Sequence, residues 1–285
     1  MDNFKNIVVG LDISKNSLQI LKRAFSLANE NKSKITIVHA IDTNWLDSIL
    51  SDINFEDVKD SAKKEIEKEI SSFDTNNIEY SIIVDKKDPS SFIINTAKDI
   101  QASLVIIGEN SKENFETKVF GTTAHKVAQN SNIPLLIIKN NYNNPYENIV
   151  AFTDFSKVSL DGIKFSNDFF NKDDIKVVSA YQQASELTLR YYNNYENKDK
   201  IQLKIKEKKE EEFRSFVEQN SIKNAQLLED TYSVKNILSE YVDKNKNDLV
   251  VLGSKGINNS SSLLYGSTSS YLMENLNSDI LVFVP

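Results

Sequence analysis

Apolar residues along this chain cluster in short runs rather than spreading evenly. Five occur in the first half: Ile7–Leu11, Ile35–Ile41, Tyr80–Val84, Leu104–Gly108 and Leu135–Ile138. Five more follow in the second: Ile149–Thr153, Ile175–Tyr181, Ala225–Leu228, Leu249–Gly253 and Ile280–Val284. The runs are β-branched and nearly continuous, the pattern of strands covered on both faces of a parallel sheet. Between them the spacing of apolar positions turns helical. Lys15–Glu30 brings Leu18, Leu21, Phe25 and Ala28 onto one face, with Ser14 placed to cap its start. Further helices are expected at Asp57–Phe73, Ser90–Asp99, Leu160–Phe170, Lys198–Gln219 and Val234–Lys244.

Strand and helix alternate twice through the same order, and the last two runs of each half keep one offset. Leu104 maps onto Leu249, Gly108 onto Gly253, Gly121 onto Gly266 and Leu136 onto Leu281, each 145 residues on. Such internal repetition predicts two copies of one α/β, doubly wound domain, with helices on both faces of each sheet. The turn-rich segment Asn140–Asn148 separates them, giving domains at 1–140 and 147–285.

Composition removes several function classes. There is no cysteine, so no disulfide scaffold and no thiolate chemistry, and the two histidines, His39 and His125, leave little for a metal site or a triad. Neither histidine recurs in the second copy; His39 reads as a hydrogen-bonded, partly buried residue and His125 as a helix-surface one. A balance of 34 basic against 41 acidic residues, net −7, argues against a nucleic-acid partner held through phosphates. No apolar run approaches the roughly 18 residues of a membrane span, and the start MDNFKN lacks a secretory core, so the cytoplasm is expected.

Glycine is scarce, seven in all, and five of them sit in two places: Gly108 and Gly121, then Gly253, Gly256 and Gly266. The second stretch leaves a strand, passes Lys255 and a Ser/Asn loop, and meets Gly266 at the start of a helix that opens Ser267-Thr268. Glycines admit a ligand close to backbone amides, and a helix N-terminus offers unpaired N–H groups and a partial positive charge. That is the chemistry of a phosphate cradle. Doubly wound sheets bind ligands at the C-terminal edge of their strands, where the winding reverses. Each first strand ends there in a similar tripeptide, Asp12-Ile13-Ser14 and Asp154-Phe155-Ser156. Asp154, facing Gly253 if the first and fourth strands are neighbours, suits a ribose hydroxyl or an adenine amine.

In these features the chain resembles a tandem universal stress protein. Gly253, Gly256, Gly266 and Ser267 fit the Gly-x2-Gly-x9-Gly-(Ser/Thr) ATP signature of that family, and the Asp-x-Ser tripeptide and the run Val38–Asp42 match too. The resemblance implies a flavodoxin-like or Rossmann-like sheet of order 3-2-1-4-5 in each copy. It implies ATP or another adenine nucleotide, with or without Mg2+, held by Thr153, Asp154, Ala180, Leu252, Gly253, Lys255, Gly256, Gly266, Ser267 and Thr268. It also implies pairing of the two fifth strands, Leu135–Ile138 with Ile280–Val284, as a pseudo-dimer within one chain. Further homodimerisation and an unidentified protein partner stay open.

The first copy departs from the signature. It keeps Asp12, Ala40, Gly108, Gly121 and Thr122, but Ser111 replaces the second glycine, and Glu109, Glu113 and Glu116 lie where phosphates would pass. Lys112 and Lys118 offset these only partly. Weak binding or none is expected there. The bland alternatives are that the glycines only make turns and helix entries, that Asp12 and Asp154 only cap helices, and that Trp45 only packs. The run Lys204–Glu212 reads as a solvated helix face, and Tyr191–Tyr195 as a loop packing its own aromatics.

The leading expectation is a stress-response binding or signalling module, with no catalytic and no metal-ligating residue assigned. A slow ATPase or phosphoryl- or nucleotidyl-transfer enzyme, with hydroxyls such as Ser267 as acceptors, and an empty scaffold are the alternatives. Neither GxxxxGK[ST] nor GxGxxG occurs in the chain.

Overall fold

The computed structural model describes residues 4–41, 54–109, 121–142, 145–254 and 266–285. It divides into two compact units: Met1–Glu147 together with Asp279–Pro285, and Asn148–Ser278.

In the first unit, strands β1 (Asn6–Gly10), β2 (Lys34–Ala40), β3 (Tyr80–Asp85), β4 (Leu104–Gly108) and β5 (Leu135–Ile138) pair in parallel in the order β3-β2-β1-β4-β5. Helices α1 (Ser17–Asn31), α2 (Phe55–Ile70), α3 (Pro89–Asp99) and α4 (Thr122–Asn130) fill the crossovers. Right-handed crossovers place α1 with α2 on one face and α3 with α4 on the other. The last strand of the chain, β10 (Asp279–Phe283), lies antiparallel on β5, with Ile280 opposite Ile137 and Leu281 opposite Leu136. The fifth-strand pairing expected from the sequence is therefore present.

Continuous apolar runs produce a core that is dry at its centre. Ile7, Val8 and Val9 of β1 and Leu104, Val105 and Ile106 of β4 are all 0% exposed. Each such side chain contributes about 1.5–3 kcal/mol by leaving water. Phe25 of α1 meets Phe73 and Tyr80 edge-on at 5.4 and 5.6 Å between ring centres.

The second unit repeats the plan with β6 (Ile149–Phe152), β7 (Lys176–Gln182), β8 (Ala225–Asp230) and β9 (Leu249–Gly253), parallel in the order β9-β6-β7-β8. Its helices are α5 (Lys157–Phe169), α6 (Glu186–Tyr191), α7 (Lys198–Gln219), α8 (Val234–Asn245) and α9 (Ser267–Asn275).

Three local expectations change. The outer strands β3 and β8 are not covered on both faces: Tyr80 and Ile83 are 40% and 38% exposed, and no residue of β8 is buried. Ser14 does not cap α1, which starts at Ser17 behind Asn16, a residue without a side-chain capping bond. The tyrosine segment is not a loop throughout, because Glu186–Tyr191 is helical and Tyr195–Asn197 is a 3-10 turn. Its aromatics do pack on one another: Tyr191 and Tyr192 meet edge-on at 5.1 Å while both stay largely exposed.

Candidate functional site

The centre of interest is the C-terminal edge of β6 and β9, which are direct neighbours (Ile149 with Leu249, Ala151 with Val251). Beyond β6 the chain makes a tight turn through Thr153, Asp154, Phe155 and Ser156. Phe155 has φ +70°, the left-handed region, and Ile13 repeats this in the first unit at +51°. A bulky residue held there costs energy that surrounding bonds must offset. Thr153 Oγ1 accepts the Phe155 amide at 3.0 Å and lies 2.8 Å from Ser159 Oγ. Asp154 Oδ1 accepts the Ser156 amide at 3.1 Å, and Ser156 Oγ accepts the Ser159 amide at 3.2 Å as the N-cap of α5. The hydroxyls of Thr153, Ser156 and Ser159 thus fix the turn, and Asp154 is left facing solvent at its tip.

Beside this turn lies a cavity of about 600 Å³ lined by Asp154, Phe155, Ala180, Tyr181, Phe216 and Gln219, among others. It exists because α7 covers the sheet loosely: of its 22 residues only Phe216 is buried. Phe155 packs on Phe216 at 5.4 Å and on Phe213 at 6.3 Å, making an aromatic wall. A second cavity of about 630 Å³ follows under the same helix. There Tyr181 donates its hydroxyl to Glu229, and Lys206 Nζ stands 3.4 Å from the other Glu229 oxygen. Burial and the Glu229 carboxylate hold the Tyr181 hydroxyl well above its ordinary pKa. Part of the Lys204–Glu212 run, expected to be a solvated face, therefore turns toward these cavities through Lys206, Lys209, Glu210 and Glu212.

Gly253 ends β9 against the first turn of α5. A Cβ there would lie 3.2 Å from the Ser159 amide nitrogen and 3.3 Å from its Cα, so only glycine fits without a shift of backbone. This glycine has a packing role whatever else it does. Gly266 differs: it is the N-cap of α9 with φ −69° and ψ 156°, ordinary extended backbone, and no side chain caps the helix. The first intrahelical bond runs from the Ser270 amide to Gly266 O at 3.0 Å, which leaves the amides of Ser267, Thr268 and Ser269 without intrahelical acceptors. Ser269 Oγ donates to Gly253 O at 3.2 Å and ties this open helix end to the end of β9.

Of the residues singled out from the sequence, Asp154 and Ala180 share the 600 Å³ cavity. Gly253, Gly266, Ser267 and Thr268 gather at the junction of β9 and α9. Thr153 and Leu252 are 7% and 3% exposed and act from behind, the first through its hydroxyl bonds and the second as core. Lys255 and Gly256 lie outside the described residues, as do Ser111, Lys112, Glu113, Glu116, Lys118 and Trp45. In the first unit Asp12 is exposed, Ala40 and Gly108 half-buried, and Gly121 and Thr122 open α4 as Gly266 and Ser267 open α9. Asp12 does not cap α1. His39 Nδ1 lies 2.8 Å from Leu11 O, and His125 is exposed on α4, as expected of both.

The first unit also carries, near Asp12, a carboxylate that the sequence pattern did not single out. Glu69 on α2 has a buried Oε2 without a hydrogen-bond partner, and its carboxyl is pushed up by burial, by Glu65 and by Asp12. Glu109 pairs with Lys139 at 2.7 Å, the lysine side chain being 2% exposed. Ser159 was missed as well, although Ser17 precedes it by the same 142 residues that separate Asp12 from Asp154.

Among the described residues no cluster of three or more His, Cys, Asp or Glu could hold a metal ion. Among them, too, no helix is long and apolar enough to cross a membrane.

Comparison with known proteins agrees with the repeat and the fold. The universal stress protein family model matches twice, over residues 3–139 and 145–284. The chain is 25% identical over 147 residues to the universal stress protein YxiE of Bacillus subtilis, covering 48% of this chain and 99% of that protein. It is 22% identical over 140 residues to a universal stress protein of Methanocaldococcus jannaschii, covering 48% of this chain and 82% of that one. A crystal structure of a universal stress protein from Archaeoglobus fulgidus matches with TM-score 0.69 at 16% identity, over 98% of this chain and 97% of that one. A functionally unknown protein of Pseudomonas aeruginosa matches with TM-score 0.70 at 17% identity, over 100% and 94%. With one domain's worth of sequence matched in each half and the alternating strands and helices to go with it, the chain belongs to the universal stress protein family, in a form that carries two such domains in tandem.

Proposed function

We propose that this protein binds an adenine nucleotide, ATP or a relative of it, in its second domain and serves as a stress-response binding module. The observation that carries the reading is that two complementary features lie beyond the C-terminal ends of the neighbouring strands β6 and β9. At one end Gly266 leaves the first amides of α9 uncapped, with the hydroxyls of Ser267 and Thr268 beside them. Such a terminus favours an anion by its dipole and its free donors. At the other end the aromatic-walled cavity with Asp154 and Ala180 has a volume within the usual range for a small-molecule site. A purine fits the aromatic and apolar wall, and the exposed Asp154 carboxylate accepts from a ribose hydroxyl or the purine amine while repelling phosphate. The glycine spacing of the signature, Gly253-x2-Gly256-x9-Gly266-Ser267, supports the same assignment. Bound nucleotide would contribute the charged phosphate chain; the protein's part is to hold it and fix its orientation.

The first domain is read as a poor nucleotide site. Beside Asp12, the counterpart of Asp154, it adds the Glu69 carboxylate, and Glu109 brings another next to Gly108. These two added carboxylates would have to give way to an anionic ligand.

Thermal unfolding with and without Mg-ATP tests the proposal, because a ligand that binds only the folded state raises the midpoint. A rise that grows with nucleotide concentration is expected. An unchanged midpoint at millimolar Mg-ATP would refute it.

A further inference from the structure

Strand β3 ends the sheet of the first unit and pairs with β2 alone among the described residues. Its backbone groups alternate in direction. The carbonyls of Glu79 and Asp85 accept the amides of Ile35 and Ile41, so the odd-numbered residues turn their amides and carbonyls toward β2. Those of Tyr80, Ile82 and Val84 point away from it, toward the open edge. Side chains alternate too. Tyr80 packs on Phe25 of α1, which puts Ser81 and Ile83 on the opposite face. There α3 lies over β1 and β2, and Ile83 is left 38% exposed.

An open edge is a template for another strand, and sheets guard it with charge, proline or bulges. The outer strand of the second unit is guarded: β8 carries Gln226, Glu229 and Asp230, and Glu229 is engaged by Tyr181 and Lys206. No such guard stands on β3, where Tyr80–Val84 contains neither a charge nor a proline. Its charges sit at the two ends, Glu79 before it and Asp85, Lys86 and Lys87 after it.

That polarity suits a second β3 running antiparallel, and it also selects the register. With Ile83 opposite its own copy, Glu79 meets Lys87, Ser81 meets Asp85 and Ile82 meets Val84, each twice by symmetry. With Ile82 opposite its own copy, Glu79 meets Asp85 instead, and like charges directly opposite are destabilising. In the first register Ile82 and Val84 exchange hydrogen bonds through their outward groups. Ile83 and its copy then form a non-hydrogen-bonded pair, whose Cα atoms approach to about 4.5 Å. Glu79 and Lys87 already have partners within the chain, Lys34 at 2.8 Å and Asp85 at 3.0 Å. The charges across the axis therefore steer the register more than they tighten the pair.

We propose that β3 is a self-association edge, pairing antiparallel with β3 of a second copy of this chain about Ile83. A two-fold pairing of this kind closes on itself and stops at a dimer. It is independent of the nucleotide reading.

Sedimentation of the full-length, ligand-free chain over a range of concentrations tests this, with its melting temperature measured alongside. The mass should rise with concentration toward that of two chains. Ile83→Lys sets two like charges face to face on the axis and should weaken association about tenfold or more. Its melting temperature at low concentration should stay level, because the side chain is already exposed. The chain contains no cysteine, so a single introduced one reports the register. Ile83→Cys should give a covalent dimer with oxidised glutathione. Ser81→Cys, roughly 13 Å from its copy in this register, should not. Wild-type protein that stays monomeric at millimolar concentration overturns the proposal. So does Ile83→Lys that associates like wild type, or cross-linking through position 81 rather than 83.

Discussion

The carboxylate of Asp279 accepts the hydroxyl of Tyr146 at 2.6 Å inside the first unit, joining the start of the last strand to the segment that follows β5. Asp279 is 1% exposed and also accepts the amides of Lys139 and Asn140 at 2.8 and 2.9 Å. Arg23 stands 3.9 Å away and lies over the Tyr146 ring at 3.8 Å. Tyr146→Phe should cost about 1.5–3 kcal/mol, the value of a hydrogen bond to a charged group. Asp279→Ala should cost more, about 3–5 kcal/mol, because it leaves a buried guanidinium beside a hole. Urea denaturation of each variant measures this.

Burial outweighs those donors and raises the Asp279 carboxyl above its ordinary range. With the folded pKa above the unfolded one, its contribution to stability is complete below about pH 4 and is lost as pH rises through the folded value. Asp279→Asn has no such proton to release. The stability of wild type minus that of Asp279→Asn should therefore shrink between pH 4 and 7. A difference that widens over that range would contradict the assignment.

Asp88 shows the opposite sign. It caps α3, accepting the Ser91 amide at 2.9 Å and the Ser90 hydroxyl at 2.6 Å, and these bonds hold its carboxyl down at about 2. Its stabilisation is present above the unfolded pKa near 4 and is lost as pH falls toward 2. Asp88→Ala should cost about 1 kcal/mol at pH 7. Asp88→Asn should keep most of the cap and remove its pH dependence, as denaturant melts from pH 7 to pH 2.5 would record.

Glu69 is held near Glu65 and Asp12 at a cost. Its carboxyl is pushed up by burial and by neighbouring Glu65 and Asp12, so its charged form opposes folding, and the opposition grows as pH rises above about 4. Glu69→Gln should stabilise the protein at pH 7 by about 0.5 kcal/mol, a small value because the group is partly solvated. The gain should disappear near pH 4.

Two glycines of one signature should answer substitution differently. Gly253→Ala forces a Cβ to within 3.2 Å of the Ser159 backbone and should cost about 1–3 kcal/mol. Gly266 has a backbone that alanine adopts freely, so Gly266→Ala should change stability by less than about 1 kcal/mol. Melting of the ligand-free variants separates the two.

The strands were the most legible part of the sequence. Leu104–Gly108, Leu135–Ile138 and Leu249–Gly253 coincide with the observed elements, because a strand buried on both faces must be apolar throughout. The shared offset also exposed Gly121 and Gly266 as helix entries. Short helices and outer strands were harder. Glu186–Tyr191 is too short to show a period of 3.6, and β8 mixes polar residues because α7 covers it loosely. The burial of Glu69 and the pairing of Glu109 with Lys139 were invisible for a different reason. Their significance lies in burial and in which group they meet, and neither leaves a mark in residue spacing.

The central claim, a nucleotide crevice in the second domain only, is tested most directly by isothermal titration of the full-length chain with ATP. The account predicts saturable binding of one nucleotide per chain. Two equivalent sites would contradict the difference between the domains, and no binding at millimolar ATP would remove the functional assignment.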